Sequence, residues 1–205
     1  HITSVDTLAS LTVGNGGFAF TADVTGLQSF PEYYSNGVPL GTQSDWGWHS
    51  FPNPDGLRLE EAMKDYDFGR GRTEPYAVEF KEPGRQRDAA TWYRVNPHRL
   101  HLGAIGFAGL KPDMVKDIDQ TLDVGRGMLE SSFTVDGRHV NVTTSCHPDI
   151  DMVAASINTD TLLPVAIRLP YPTGKHCDDA CDWNADSRHI TEIISSTPGH
   201  AILRH

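Results

Sequence analysis

At 205 residues, with 38% apolar and 21% charged side chains, the chain can bury one sizeable core and is too apolar to be disordered. Its 27 acidic against 17 basic residues leave a net charge of -10, which argues against a nucleic-acid or anionic-membrane surface, since both reward clustered Lys and Arg. No run of about 18 apolar residues is present to span a bilayer. The chain opens at "HITSVDTLAS", without an initiator methionine or a signal-peptide pattern, and closes at "GHAILRH" within what reads as a strand. Both ends are those expected of a mature or excised piece of something longer.

Near the start, "LTVGNGGFAF" sets Gly14, Asn15, Gly16 and Gly17 between apolar residues. A phosphate-binding Walker loop needs a following Lys-Ser/Thr pair and a helix, and a dinucleotide fingerprint needs the same strand-to-helix context. Neither is present. Gly14, Asn15 and Gly16 are expected to form a structural turn into a strand over Gly17 to Asp23, where Phe18 and Phe20 alternate with Ala19 and Thr21. Val24 to Leu27 should turn the chain, with "GLQSF" starting the return strand. Pro31 to Pro54 reads as a long polar-aromatic loop. Leu57 to Phe68 is expected to form about two helical turns. A short helix is predicted over Asp88 to Asn96, stopped by Pro97, and a strand over Arg99 to Phe107.

The clearest organisation lies between Ile118 and Asn158. "IDQTLDV", "GMLESSFTV", "RHVNVTTSCH" and "DMVAASINT" are short runs rich in Val, Ile, Leu, Thr and Phe. Turn chemistry joins them: Gly125-Arg126-Gly127, then Asp136-Gly137, then His147-Pro148-Asp149. This predicts a four-stranded antiparallel meander, with Val140 and Val142 on one face and His139 and Asn141 on the other. A fifth strand is expected at Val165 to Leu169 and a sixth at His189 to Ile194. The fold class is therefore all-β and mainly antiparallel: one sandwich over residues 1–205, with short helices in its loops.

Two segments carry candidate chemistry. In Pro39 to Pro54, Trp46, Trp48 and His49 stand beside Asp45 and Gln43. Flat indoles stack on the C–H face of a sugar, and carboxylates and amides take its hydroxyls. The same tryptophans would also suit the plugging of a core edge. In "PTGKHCDDACDW", His176, Cys177, Cys181, Asp178, Asp179 and Asp182 crowd together. A metal site, a Cys177–Cys181 disulfide and a polar loop near a ligand all remain open. Yet one Cys-x3-Cys without a second pair is not a zinc pattern. With Cys146 there are three cysteines, an arithmetic of one pair and one single thiol. His176 and Asp179 are taken with Gln43, Asp45, Trp46, Trp48 and His49 as candidate substrate contacts. Asn141-Val142-Thr143 fits an N-glycosylation sequon. No nucleophile elbow is present, and no acid pair for glycoside cleavage can be singled out among 27 acids.

"LTVGNGGFAF" resembles the opening strand of the N-terminal sandwich in (α/α)6-barrel, or six-hairpin, glycoside hydrolases of the maltose-phosphorylase and α-L-fucosidase-like group. The meander "LDVGRGMLESSFTVDGRHVNVTTSCHPDIDMVAASINT" is similar to that domain's later strands. "GLQSFPEYYSNGVPLGTQSDWGWHSFPNP" and "NPHRLHLGAIGF" look like an uncharacterised bacterial branch of the group. The resemblance implies a galactose-mutarotase-like sandwich followed by a catalytic barrel of the same polypeptide. It implies carbohydrate as substrate, no catalytic residue in this chain, no cofactor and no metal, and a periplasmic or secreted location. The isolated chain would then be inactive, bracing the barrel and lending loop contacts to the sugar. A free-standing carbohydrate-binding module and a disaccharide phosphorylase domain are the alternatives.

Overall fold

The computed structural model describes residues 1–45, 47–95, 98–160, 162–173 and 181–205, with the backbone alone at Trp48, His49, His98, Arg99 and Asp186. The fold is all-β and antiparallel, built as two layers. One is a three-stranded sheet of Leu11–Gly14, Phe18–Ala22 and Gly41–Ser44, with Phe18–Ala22 in the middle. The other is the meander Val115–Asp123, Met128–Val135, Arg138–Cys146 and Val153–Thr159, each strand hydrogen-bonded to the next.

Period-two alternation decides which side chains meet between the layers. Phe18, Phe20 and Ala22 are buried and pack with Val13 against Leu129 of the meander. In the third meander strand Val140 and Val142 are buried while His139 and Asn141 face out, as the sequence pattern predicts. They join Phe133, Val135, Phe107, Leu27 and Phe30 in a second, larger cluster. The Asp136-Gly137 hairpin has φ of 51° and 75°, the left-handed pair that its turn requires.

Two turns tie the layers together. The first is the Gly-Asn-Gly run. Gly14 admits no Cβ, because one built there would lie 2.4 Å from the Phe18 carbonyl oxygen. Asn15 Oδ1 accepts from the Gly17 and Phe18 amides at 3.1 and 2.8 Å. Its Nδ2 donates to the His147 and Ile150 carbonyls of the meander, each at 3.2 Å. The expected structural turn is thus also a clamp between layers. Asn15→Ala strips two acceptor and two donor bonds, so we expect a loss of about 1–3 kcal/mol in urea unfolding. An unchanged midpoint would show the clamp to be idle.

The second is the turn Asp23 to Gly26. Gly26 has φ of 77°, and a Cβ there would come within 2.9 Å of Ser131 Oγ and 3.1 Å of Val142. Only glycine lets this turn rest on the meander. Thr144 Oγ1 donates to the Gly26 carbonyl at 2.7 Å, and Gln120 Nε2 donates to the Asp23 carbonyl at 2.7 Å.

Several local expectations are corrected. "GLQSF" does not start a return strand; it leads into a one-turn helix, Pro31–Tyr34, with proline in its first turn. The return strand is Gly41–Ser44, inside the segment read as a structureless loop, and Trp48–His49 pairs there with His98–Arg99. Leu57 to Phe68 is not two helical turns. A 3-10 turn, Leu59–Ala62, gives way to strand Met63–Asp67, which pairs with Thr73–Ala77. Gly69, Arg70 and Gly71 all take positive φ and close that hairpin, and Tyr76 meets Tyr66 and Phe68 at 6.0 and 5.8 Å across it. The second helix runs Arg85–Val95, three residues earlier than predicted at its start. The Arg99 to Phe107 strand is interrupted: Ala104–Phe107 is a separate strand paired with Val165–Arg168. The sixth strand is Glu192–Thr197, displaced towards the C-terminus and paired with His200–Arg204.

Candidate functional site

The alternation that buries Phe18, Phe20 and Ala22 turns Ala19 and Thr21 to the opposite face of the sheet. In the neighbouring strand Thr42 and Ser44 are buried, so Gly41 and Gln43 share that opposite face. Register places Ala19 opposite Gln43 and Thr21 opposite Gly41. These four residues form the floor of a cleft of about 580 Å³. That volume lies within the usual range of small-ligand sites, about 300–1,000 Å³.

One wall comes from Glu32, on the one-turn helix, with Ser35, Pro39 and Leu40 after it. The opposite wall holds His101, Arg168, Trp183 and Asn184. The backbone explains why these distant residues converge. Leu102 N donates to Thr42 O at 2.8 Å, which lays the 98–103 segment along the sheet. Ala104 pairs with Arg168, bringing the strand Val165–Arg168 beside it. Cys181 Sγ donates to the His101 carbonyl at 3.2 Å, which anchors the segment carrying Trp183. Beneath the floor, Gln28 Nε2 donates to Thr21 O and Thr42 Oγ1 at 3.0 and 3.2 Å.

Trp183 sits in an aromatic and cationic setting. The His101 ring meets it edge-on, with centroids 4.9 Å apart and planes at 80°. The Arg168 guanidinium lies over the indole, 4.9 Å from its centroid. His101 is 8% exposed, and its Nδ1 accepts from the Gly103 amide at 3.1 Å. In neutral His101 the proton is therefore on Nε2.

Of the residues selected from sequence, Gln43 lines the cleft. Asp45 does not. It is exposed beside the Gly-Asn-Gly turn, its amide donates to Gly17 O at 2.8 Å, and its Oδ2 is 3.3 Å from a Cβ built on Gly17. Trp48 and His49 are placed by backbone alone, in the short pairing with His98–Arg99. Trp46, His176 and Asp179 lie outside the described residues, as does Cys177 and with it the bridge to Cys181 that the sequence leaves open. Cys146 is half-buried, and burial pushes its thiol up to about 11. Among the described residues no group of three or more His, Cys, Asp or Glu is placed to hold a metal ion.

Sequence reasoning passed over His101, Arg168 and Trp183. Trp183 closes the "PTGKHCDDACDW" segment that was singled out, so an indole beside carboxylates was a usable signal there. His101 lies just before the apolar strand Ala104–Phe107 and Arg168 ends the apolar strand Val165–Arg168, and only the pairing of Ala104 with Arg168 brings them together. No protein-family model, no curated protein and no solved structure matches the chain.

Proposed function

We propose that this chain is the non-catalytic sandwich domain of a glycoside hydrolase, and that it contributes its cleft to the binding of oligo- or polysaccharide. One observation carries this reading: an indole, Trp183, stands in a cleft of about 580 Å³ among amide, hydroxyl and imidazole groups. Gln43 and Asn184 offer both donors and acceptors, Ser35 a hydroxyl and Glu32 acceptors, which together suit the hydroxyl ring of a sugar. The two-layer antiparallel sandwich agrees with the galactose-mutarotase-like type that the sequence resembles. Ile193 and Leu203, cross-strand partners on the last hairpin, are 70% and 50% exposed and leave an apolar face that suits a domain bracing another. Acid and base for bond cleavage belong, in this reading, to a barrel domain of the same polypeptide.

An array of neutral, acidic and amino glycans tests the proposal. The chain is expected to retain a defined subset of them and to turn over none. Retention of no glycan would leave only a structural brace, and release of reducing sugar by the chain alone would contradict its non-catalytic role.

A further inference from the structure

We propose that the carbohydrate taken by this cleft is an acidic one, a uronate whose carboxylate pairs with Arg168. This rests on the reading of the cleft as a sugar site. Arg168 ends the strand Val165–Arg168 with its side chain in the cleft wall. Its guanidinium carbon lies over the Trp183 ring, 4.9 Å from the centroid. Cation–π attraction holds the guanidinium over the indole, and its planar fork of N–H donors is suited to grip a carboxylate with two bonds. Among the described residues no carboxylate lies within ion-pairing distance of it, whereas Arg72, Arg85, Arg94, Arg126 and Arg204 all have one.

Among the described residues lining the cleft, Glu32 is the one carboxylate, and it is not ion-paired with Arg168. The two charges therefore line one cavity while standing apart. A neutral sugar satisfies Glu32 by donating hydroxyls but offers Arg168 only weak acceptors. An amino sugar satisfies Glu32 and is repelled by Arg168. A uronate answers both at once, with hydroxyl donors for Glu32 and a carboxylate for Arg168, provided its ring is oriented so that the carboxylate lies away from Glu32. The indole beneath Arg168 holds the fork in place and lowers the entropy lost on binding. The net charge of -10 disfavours approach of any anion, so specificity here must come from the local pair and not from steering.

The test compares affinities of the chain for matched pairs, methyl glucuronide against methyl glucoside and methyl galacturonide against methyl galactoside, together with the best glycans of the array. The acidic member of a bound pair is expected to bind at least about tenfold more tightly. Arg168→Gln should abolish that preference, Arg168→Lys should restore part of it, and added salt should weaken it. The side chain is exposed, so an unchanged thermal melt is expected and confirms that the variant folds. Equal affinity for acidic and neutral members, or preference for amino sugars, would overturn the acidic assignment and leave the sugar site standing. Failure of every glycan to bind would remove the sugar site itself.

Discussion

Asp23→Ala is expected to destabilise the sandwich by about 3 kcal/mol at pH 7, and by more at lower pH. Asp23 is fully buried. Its Oδ1 accepts from the Thr25 amide and hydroxyl at 2.9 and 2.6 Å, and its Oδ2 from the Ser29 and Phe30 amides at 2.7 and 2.8 Å. One side chain thus closes the turn below Gly26 and starts the one-turn helix that forms a cleft wall. Alanine leaves three backbone N–H groups without their acceptor, each at about 1 kcal/mol or more. The pH dependence has a definite sign. Burial pushes the Asp23 carboxyl up from the ordinary 3.8 to about 6, against the pull of its four hydrogen bonds. Between these values the folded chain holds a proton that the unfolded chain has released. Its contribution to stability is therefore full below about pH 4 and is lost as pH rises through 6. At 1.36 kcal/mol per pH unit the swing is about 3 kcal/mol. Urea midpoints of wild type and variant at pH 4, 5, 6 and 7 check this. A gap that narrows towards low pH, or no gap at all, would contradict it.

Trp183→Ala is expected to weaken sugar binding by about ten- to a hundredfold, while moving the unfolding midpoint much less than Asp23→Ala does. Burying a large apolar side chain against a ligand is worth about 1.5–3 kcal/mol, and each 1.4 kcal/mol is tenfold in affinity. The indole is half-buried and belongs to neither core cluster, so its removal opens the cleft wall and not the core. Calorimetric titration beside a thermal melt separates the two effects. A variant that binds as wild type would remove Trp183 from the site. A variant that no longer melts cooperatively would make it a structural residue.

The parts of the fold legible in the sequence are those where one physical signal acts alone. The meander was readable because each strand alternates and each joint carries its own turn residues, as at Asp136-Gly137. The Gly-Asn-Gly turn was readable as a turn, but its clamp on His147 and Ile150 depends on contacts over 130 residues apart and left no local mark. The hairpin of Met63–Asp67 with Thr73–Ala77 was misread because Leu59 to Ala62 starts in helical register, and the glycine-flanked Arg70 that closes the hairpin comes only later. Strand Gly41–Ser44 escaped notice because Gly-Thr-Gln-Ser has no apolar alternation; its buried members are Thr42 and Ser44, held by Gln28 and Asp151. The cleft was legible only at Gln43. Its far wall is assembled from residues 101, 168, 183 and 184, and strand pairing, not sequence proximity, brings them opposite the N-terminal sheet.

The most direct measurement is a crystal structure of the chain soaked with its best-binding glycan. The account predicts a sugar ring in the cleft, against Trp183, with hydroxyls on Gln43 and Asn184 and a carboxylate on Arg168. A sugar seated elsewhere on the sandwich, with this cleft empty, would contradict it.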